Sequence, residues 1–294
     1  MNTTPSNRSG HTALIDPEGA LTHDSRLHDA KGQADANIVK PHVRLRGAPD
    51  NGAPTVSELL YGEPVARIGI QGDWIEVASL TDGYRGWLPR GALTTALTDP
   101  THRISAVWAH RYAAPDIKAP PLAVLPLGAL VAVTAREGRF VQTRDGGWMI
   151  GQHLCPVEHA AQDAVGVAEM LLGSPYLWGG RTPAGLDCSA LVQIALDACG
   201  LKVHRDSDLQ RGSIGHALPR GARPRRGDLA FFPGHVGFMV DESHLIHANA
   251  THMAVTVDTL EAVIAWVASE TDKPPFSGFR RTATGTGGAK QSDQ

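Results

Sequence analysis

The sequence predicts an α+β domain, helices followed by an antiparallel sheet, carried behind two small all-β barrels. Three observations predict it. A chain of 294 residues is long enough for two or three domains. Its 32 Gly and 20 Pro favour short strands and turns over long helices. The apolar pattern changes near residue 160, from short runs broken by turn signals to helical spacing. At 42% hydrophobic and 19% charged residues the chain can bury a core, which excludes disordered and collagen-like classes.

Residues 1–40 are polar without apolar periodicity, and 283–294 are Gly-rich, so both are expected as mobile tails. Over 43–97 the runs VRLR, ELLYGEPVARIGI, GDWIEVASL and DGYRGWLPRGAL are spaced like the strands of a strongly bent barrel. A second series over 102–157 repeats the order of features. Gly62-Glu63, Trp74-Ile75-Glu76-Val77 and Gly86-Trp87-Leu88 are answered by Leu127-Gly128, Arg139-Phe140-Val141-Gln142 and Gly147-Trp148-Met149, a diverged internal repeat. From residue 160, Val165, Val167, Met170, Leu171 and Leu172 approximate one helix face until Gly173-Ser174-Pro175 stops it. A second helix spans 189–201, closed by Gly200, and DLAFF, HVGFMV, LIHANA, MAVTVD and FSGFRR read as strands of a domain reaching to 282.

The net charge of -3 supplies no basic field, so neither nucleic acid nor an anionic membrane is an expected partner. The first 25 residues lack the basic and apolar regions of a secretory signal. The most apolar stretch, 122–133, is broken by Pro126 and Gly128 and falls short of the roughly 18 residues of a membrane span. Three cysteines with no CxxC pair argue against a disulfide framework. A cytoplasmic location is the expectation.

Cysteine attacks as thiolate, and a helix start lowers a thiol pKa. Cys188 is placed at such a start, behind the Gly-rich approach Gly179-Gly180-Arg181-Thr182-Pro183-Ala184-Gly185-Leu186-Asp187. An imidazole must take and return the proton. Alternation in Gly234-His235-Val236-Gly237-Phe238-Met239-Val240 turns His235 away from the apolar set, and a hairpin with an odd loop would pair it with His247 on one face. A zinc site from Cys188, His235 and His247 is disfavoured because no short-spaced ligand pair is present. No cofactor is expected.

Five runs in order carry a resemblance: Pro175-Tyr176-Leu177-Trp178-Gly179-Gly180; Leu186-Asp187-Cys188-Ser189-Ala190-Leu191-Val192-Gln193; Arg205-Asp206-Ser207-Asp208-Leu209-Gln210; Gly227-Asp228-Leu229-Ala230-Phe231-Phe232 with His235-Val236-Gly237; and Ile246-His247-Ala248. Residues 160–282 resemble the NlpC/P60 cysteine peptidases, whose catalytic domain is papain-like. Residues 43–97 and 102–157 resemble bacterial SH3 domains, an arrangement similar to the γ-D-glutamyl-L-diamino acid endopeptidases. Ala190 stands where that family usually has Gly; Ala suits a helix, and closer packing is expected there.

The resemblance implies Cys188 as nucleophile, His235 as base and His247 as the residue orienting it. It implies Tyr176 beside the nucleophile, and Asp187 and Ser189 holding a free α-amino group, although Asp187 could equally cap the helix. Arg205 and Ser207 would meet the D-glutamate carboxylate, Trp178 would shape the pocket wall, and Tyr84 with Glu63 would close the amine end. The implied substrates are peptidoglycan stem peptides with a free N-terminal L-Ala, cleaved between γ-D-Glu and diaminopimelate or lysine during cell-wall peptide recycling. Two other readings share these residues: a degenerate module binding wall peptides or a protein, and a papain-like amidase or acyltransferase.

Overall fold

The computed structural model describes residues 24–28 and 33–282. Its first β unit contains β1 (Ala36–Ile38), β2 (His42–Arg46), β3 (Thr55–Leu60), β4 (Pro64–Gln71), β5 (Trp74–Ser79), β6 (Arg85–Pro89) and β7 (Leu93–Thr94). They form one antiparallel sheet of order β3-β2-β6-β5-β4-β1-β7 around Ile38, Leu45, Leu59, Val65, Val77 and Leu88. Register shifts at Leu45/Arg46 and Arg67/Gly69 bend it.

The expected mobile tail over 1–40 is corrected where it is described. Three residues, Ala36-Asn37-Ile38, are too few to show a period, yet all are buried and pair with both β4 and β7. Further upstream, Leu27 bridges Tyr84, Arg85 donates its amide to the Arg26 carbonyl and His28 donates to Gly83. Strand addition to an open edge satisfies backbone groups that composition cannot reveal. Residues 1–23, 29–32 and 283–294 lie outside the described residues.

The second unit holds β8 (His102–Ile104), β9 (Trp108–Tyr112), β10 (Pro121–Pro126), β11 (Leu130–Val131), β12 (Val133–Glu137), β13 (Phe140–Thr143), β14 (Trp148–Ile150) and β15 (Leu154–Pro156). A five-stranded sheet, β10-β9-β14-β13-β12, and a three-stranded one, β11-β8-β15, enclose Ile104, Leu125, Val131, Val141 and Met149. Leu60, the last residue of β3, is buried in this second core. The two units therefore share packing.

Next come α1 (Ala164–Glu169), β16 (Arg181–Thr182), β17 (Gly185–Leu186), α2 (Cys188–Ala198), α3 (Ser207–Ser213), β18 (His216–Ala217), β19 (Leu229–Phe232), β20 (His235–Met239), β21 (His244–Asn249), β22 (Ala254–Thr259), α4 (Leu260–Glu270) and β23 (Gly278–Arg281). The antiparallel sheet runs β18-β23-β19-β20-β21-β22. Every residue of α2 from Cys188 to Leu196 is buried, with Leu191, Val192 and Ala195 in one core with Val236, Phe238 and Ile246 of the sheet. The helix expected up to Leu172 ends at Glu169, which leaves Met170 and Leu172 exposed. Neither α3 nor α4 is anticipated by the sequence pattern; α4 is capped by the Thr259 hydroxyl, which accepts from the Ala262 amide. Short apolar runs such as AVIAWV do not separate helix from strand by period. Among the described residues, no helix is long and apolar enough to cross a membrane.

Candidate active site

Asp187 has extended backbone and caps α2, its Oδ1 accepting from the Ala190 amide at 2.9 Å, so that Cys188 begins the helix. The approach is tight. A Cβ on Gly180 would lie 2.3 Å from the Gly185 carbonyl oxygen, so the close approach of the residue before β16 to β17 requires glycine there. Ala190 is fully buried.

His235 opens β20 and His247 lies on β21. The register pairs Phe238 with Ile246 and Met239 with Leu245, which sets His247 diagonal to His235 on the same face. The direct pairing expected from the hairpin is thus displaced along the strand. The rings still meet: His235 Nε2 and His247 Nδ1 are 2.7 Å apart. Their closeness depends on Gly237, where a Cβ would come within 2.9 Å of the His247 Cβ.

The Cys188 sulfur accepts from the backbone amides of Val236 and Ser189, which seats it beside the strand that carries His235. Burial pushes the thiol up to about 12, with Asp187 adding to the rise, while those two amides act to lower it. The expectation of a thiol depressed by the helix start is therefore corrected: the helix amide contributes, and desolvation outweighs it. Burial, aided by His247, drives His235 down to about 3. In both groups burial disfavours the charged form. Tyr176 is near enough for a Cys188 thiolate to act on its hydroxyl, and burial first, then that charge, raises the phenol above its ordinary range.

Asp187 and Arg205 lie together but face each other. Asp187 Oδ2 accepts from Arg205 Nη2 at 2.6 Å and from the Gly179 amide at 2.9 Å; Oδ1 takes Arg205 Nη1 at 2.9 Å and the Ser189 hydroxyl at 3.1 Å besides its cap. Arg205 is 1% exposed and also donates to the hydroxyls of Ser57 and Ser189. These contacts join the two residues in a bidentate pair that fixes the loop before Cys188. Ser189 belongs to the same network, and Ser207 opens α3, half-buried.

Three further expectations divide. Tyr84 donates to Asp206 Oδ2 at 3.0 Å, so the first β unit does reach the segment beside Arg205. Glu63 is buried, paired with Arg181 at 3.1 Å and accepting from the Leu60 amide. It is an interior anchor. Trp178 is 70% exposed, on the rim rather than in a wall, because the Gly179 turn carries it outward.

Sequence reasoning overlooked Asp206, Arg26 and Asp258. Asp206 accepts from Tyr84 and from Arg26 Nη1 at 2.7 Å, and no protein hydrogen bond to its Oδ1 is found among the described residues. Its signal was adjacency, since it follows Arg205 directly. Asp258 Oδ2 lies 3.1 Å from His247 Nε2, on a strand whose alternation in Thr256-Val257-Asp258 could have marked it. Arg26 stood in a segment with no legible pattern. Among the described residues, no three His, Cys, Asp or Glu side chains gather as a metal site.

A cysteine opening a buried helix, against an antiparallel sheet that presents two contacting histidines, defines a cysteine peptidase of papain-like organisation. A sequence profile of the NlpC/P60 family matches residues 173–266, and one of the bacterial dipeptidyl-peptidase SH3 domain matches residues 45–93. The chain is 30% identical over 236 residues to a γ-D-glutamyl-L-lysine dipeptidyl-peptidase of Bacillus subtilis, covering 71% of this chain and 77% of that protein. It is 29% identical over 250 residues to dipeptidyl-peptidase 6 of Lysinibacillus sphaericus, covering 77% and 92%. A crystal structure of an NlpC/P60 family protein from Bacillus cereus shares the fold with TM-score 0.69 at 20% identity, over 84% of this chain and 98% of that one. The chain belongs to the NlpC/P60 family of cysteine peptidases.

Proposed function

We propose that this protein hydrolyses the bond between γ-D-glutamate and the diamino acid of peptidoglycan stem peptides that carry a free N-terminal L-Ala. The relatives named as γ-D-glutamyl-L-lysine dipeptidyl-peptidases support that bond. The observation that carries the free-terminus requirement is the contact of Tyr84 with Asp206. It brings the first β unit against the segment beside the Cys188 loop, next to a carboxylate whose Oδ1 takes no hydrogen bond from the described residues and could meet an ammonium.

In this reading Cys188 attacks the γ-carbonyl carbon while its proton passes to His235, which avoids a buried ion pair before substrate arrives. The oxyanion would be met by the Cys188 amide and the Tyr176 hydroxyl. Collapse returns the proton from His235 to the departing amine and leaves a thioester. Water, deprotonated by His235, then releases L-Ala-γ-D-Glu and restores the thiol. Ser207 and Trp178 would contribute to the D-glutamate and rim contacts. The domain limits 102–157 and 160–282, a first unit that begins at Ala36 rather than at residue 43, and a place in cytoplasmic cell-wall peptide recycling belong to the same proposal.

The test is mass spectrometry of products from L-Ala-γ-D-Glu-meso-diaminopimelate, its lysine counterpart and their N-acetylated forms. L-Ala-γ-D-Glu should appear from the free peptides, fall by orders of magnitude on acetylation and vanish in Cys188→Ala. Equal rates on blocked and free peptides would remove the amine subsite, and turnover by Cys188→Ala would remove the mechanism.

A further inference from the structure

The chain of ring nitrogens continues past His247 to a carboxylate. Taking Cys188 as nucleophile and His235 as base, we propose that Asp258 is a further positioning residue for the reaction: its carboxylate fixes the tautomer of His247, which in turn leaves the Nδ1 of His235 as the basic nitrogen.

Proton accounting carries the argument. An ionised carboxylate only accepts hydrogen bonds, so His247 Nε2, 3.1 Å from Asp258 Oδ2, must bear the proton. His247 Nδ1 is then bare. At 2.7 Å from His235 Nε2 it can only accept, so His235 Nε2 carries a hydrogen and His235 Nδ1 keeps its lone pair. The amide of the next residue, Val236, bonds the Cys188 sulfur, so one strand holds base and nucleophile together.

The surroundings agree on this direction. Burial acts to raise the Asp258 carboxyl, but the Thr256 hydroxyl and His247 outweigh it and hold the group below its ordinary range. Thr256 in turn accepts from Asn249 Nδ2 at 2.8 Å, leaving that amide's 3.3 Å approach to His247 Nε2 a contact between two donors. The other charged or titratable groups facing the relay are His252, whose Nε2 is 3.5 Å from Asp258 Oδ1, and Asp187, which acts on His235. From α4 the Trp266 ring approaches His252 edge-on. When His235 takes the thiol proton, Asp258 lies at the far end of the relay as the opposite charge. Without it, the reversed tautomers, with Nδ1–H on His235, compete equally.

Alkylation of Cys188 by iodoacetamide, read by peptide mapping from pH 4 to 10, tests this without relying on any substrate. Wild type, Asp258→Asn and Asp258→Ala are compared, with Cys155 and Cys199 of the same molecule as internal references and Tm measured for each. Labelling of Cys188 between pH 5 and 8 should fall at least tenfold in Asp258→Asn, because an amide in place of the carboxylate no longer enforces the tautomer that leaves His235 Nδ1 basic. Labelling near pH 10, where hydroxide increasingly takes the thiol proton directly and bypasses the imidazole, should change much less. Rates equal to wild type at every pH, or lowered by one factor throughout, would overturn the proposal. Wild-type Cys188 reacting no faster than Cys155 would instead overturn the nucleophile reading on which it rests.

Discussion

At the scale of single residues, the site is built by neutral burial. His235 and His247 both have pKa values below the ordinary histidine, His235 at about 3, burial being the largest cause in each case. The unfolded chain therefore binds protons at these positions below about pH 6.5 that the folded chain refuses, and stability falls as pH drops through that range, by up to ~1.4 kcal/mol per pH unit for each histidine fully in play. Cys188 acts in the opposite direction. Its thiol stays protonated up to about 12 when folded, so stability also falls as pH rises past about 9, where the unfolded thiol ionises. Urea unfolding from pH 4 to 10 should show a broad maximum between about 6.5 and 9. In Cys188→Ala the alkaline slope should flatten while the acid slope stays; unchanged slopes at both ends would contradict the burial argument. Cys188 and His235 were legible as residue types at telling spacings. Their protonation was not, because desolvation is set by what surrounds them.

At the scale of elements, the segment 24–28 is the clearest gain over the sequence. It adds backbone hydrogen bonds to the turn carrying Tyr84, and Arg26 reaches Asp206 at 2.7 Å and Asp208 at 2.9 Å near the start of α3. Arg26 is 29% exposed on its side chain, so the ties are worth modest energy. Arg26→Ala should lower stability by about 1 kcal/mol and make the bond before Leu27 a faster site of limited proteolysis. A Tm and cleavage rate unchanged from wild type would show that the backbone contacts alone hold the segment. The strands β19 to β23 were legible from alternation, and α2 from its cap and apolar run. The helices α3 and α4 were not, since a seven-residue polar turn and a short apolar run carry too little period to separate helix from strand.

At the scale of the whole molecule, neighbouring β units pack as one body. Leu60 ends a strand of the first unit yet is buried with Ile104, Leu125 and Met149 of the second, while Glu63 and Glu58 of the first unit hold Arg181, which lies seven residues ahead of Cys188 in the chain. Leu60→Ala should cost roughly 2–5 kcal/mol, a core truncation, and should split the thermal transition in calorimetry as the second unit loses its link to the first. A single transition at the wild-type Tm would argue that the units are energetically separate.

The sequence by itself determined the α+β domain behind β units, the placement of Cys188 at a helix start and the alternation that puts His235 and His247 on one sheet face. Those features are local, written in caps, periods and glycines within a few residues of each other. Only the tertiary structure decided that Asp187 and Arg205 satisfy each other, that Glu63 is an interior anchor, that Trp178 stands on the rim and that Asp258 ends the histidine relay. These depend on charges brought together from distant parts of the chain. A buried ion pair or an orienting hydrogen bond has no signature until the fold has removed water from both partners.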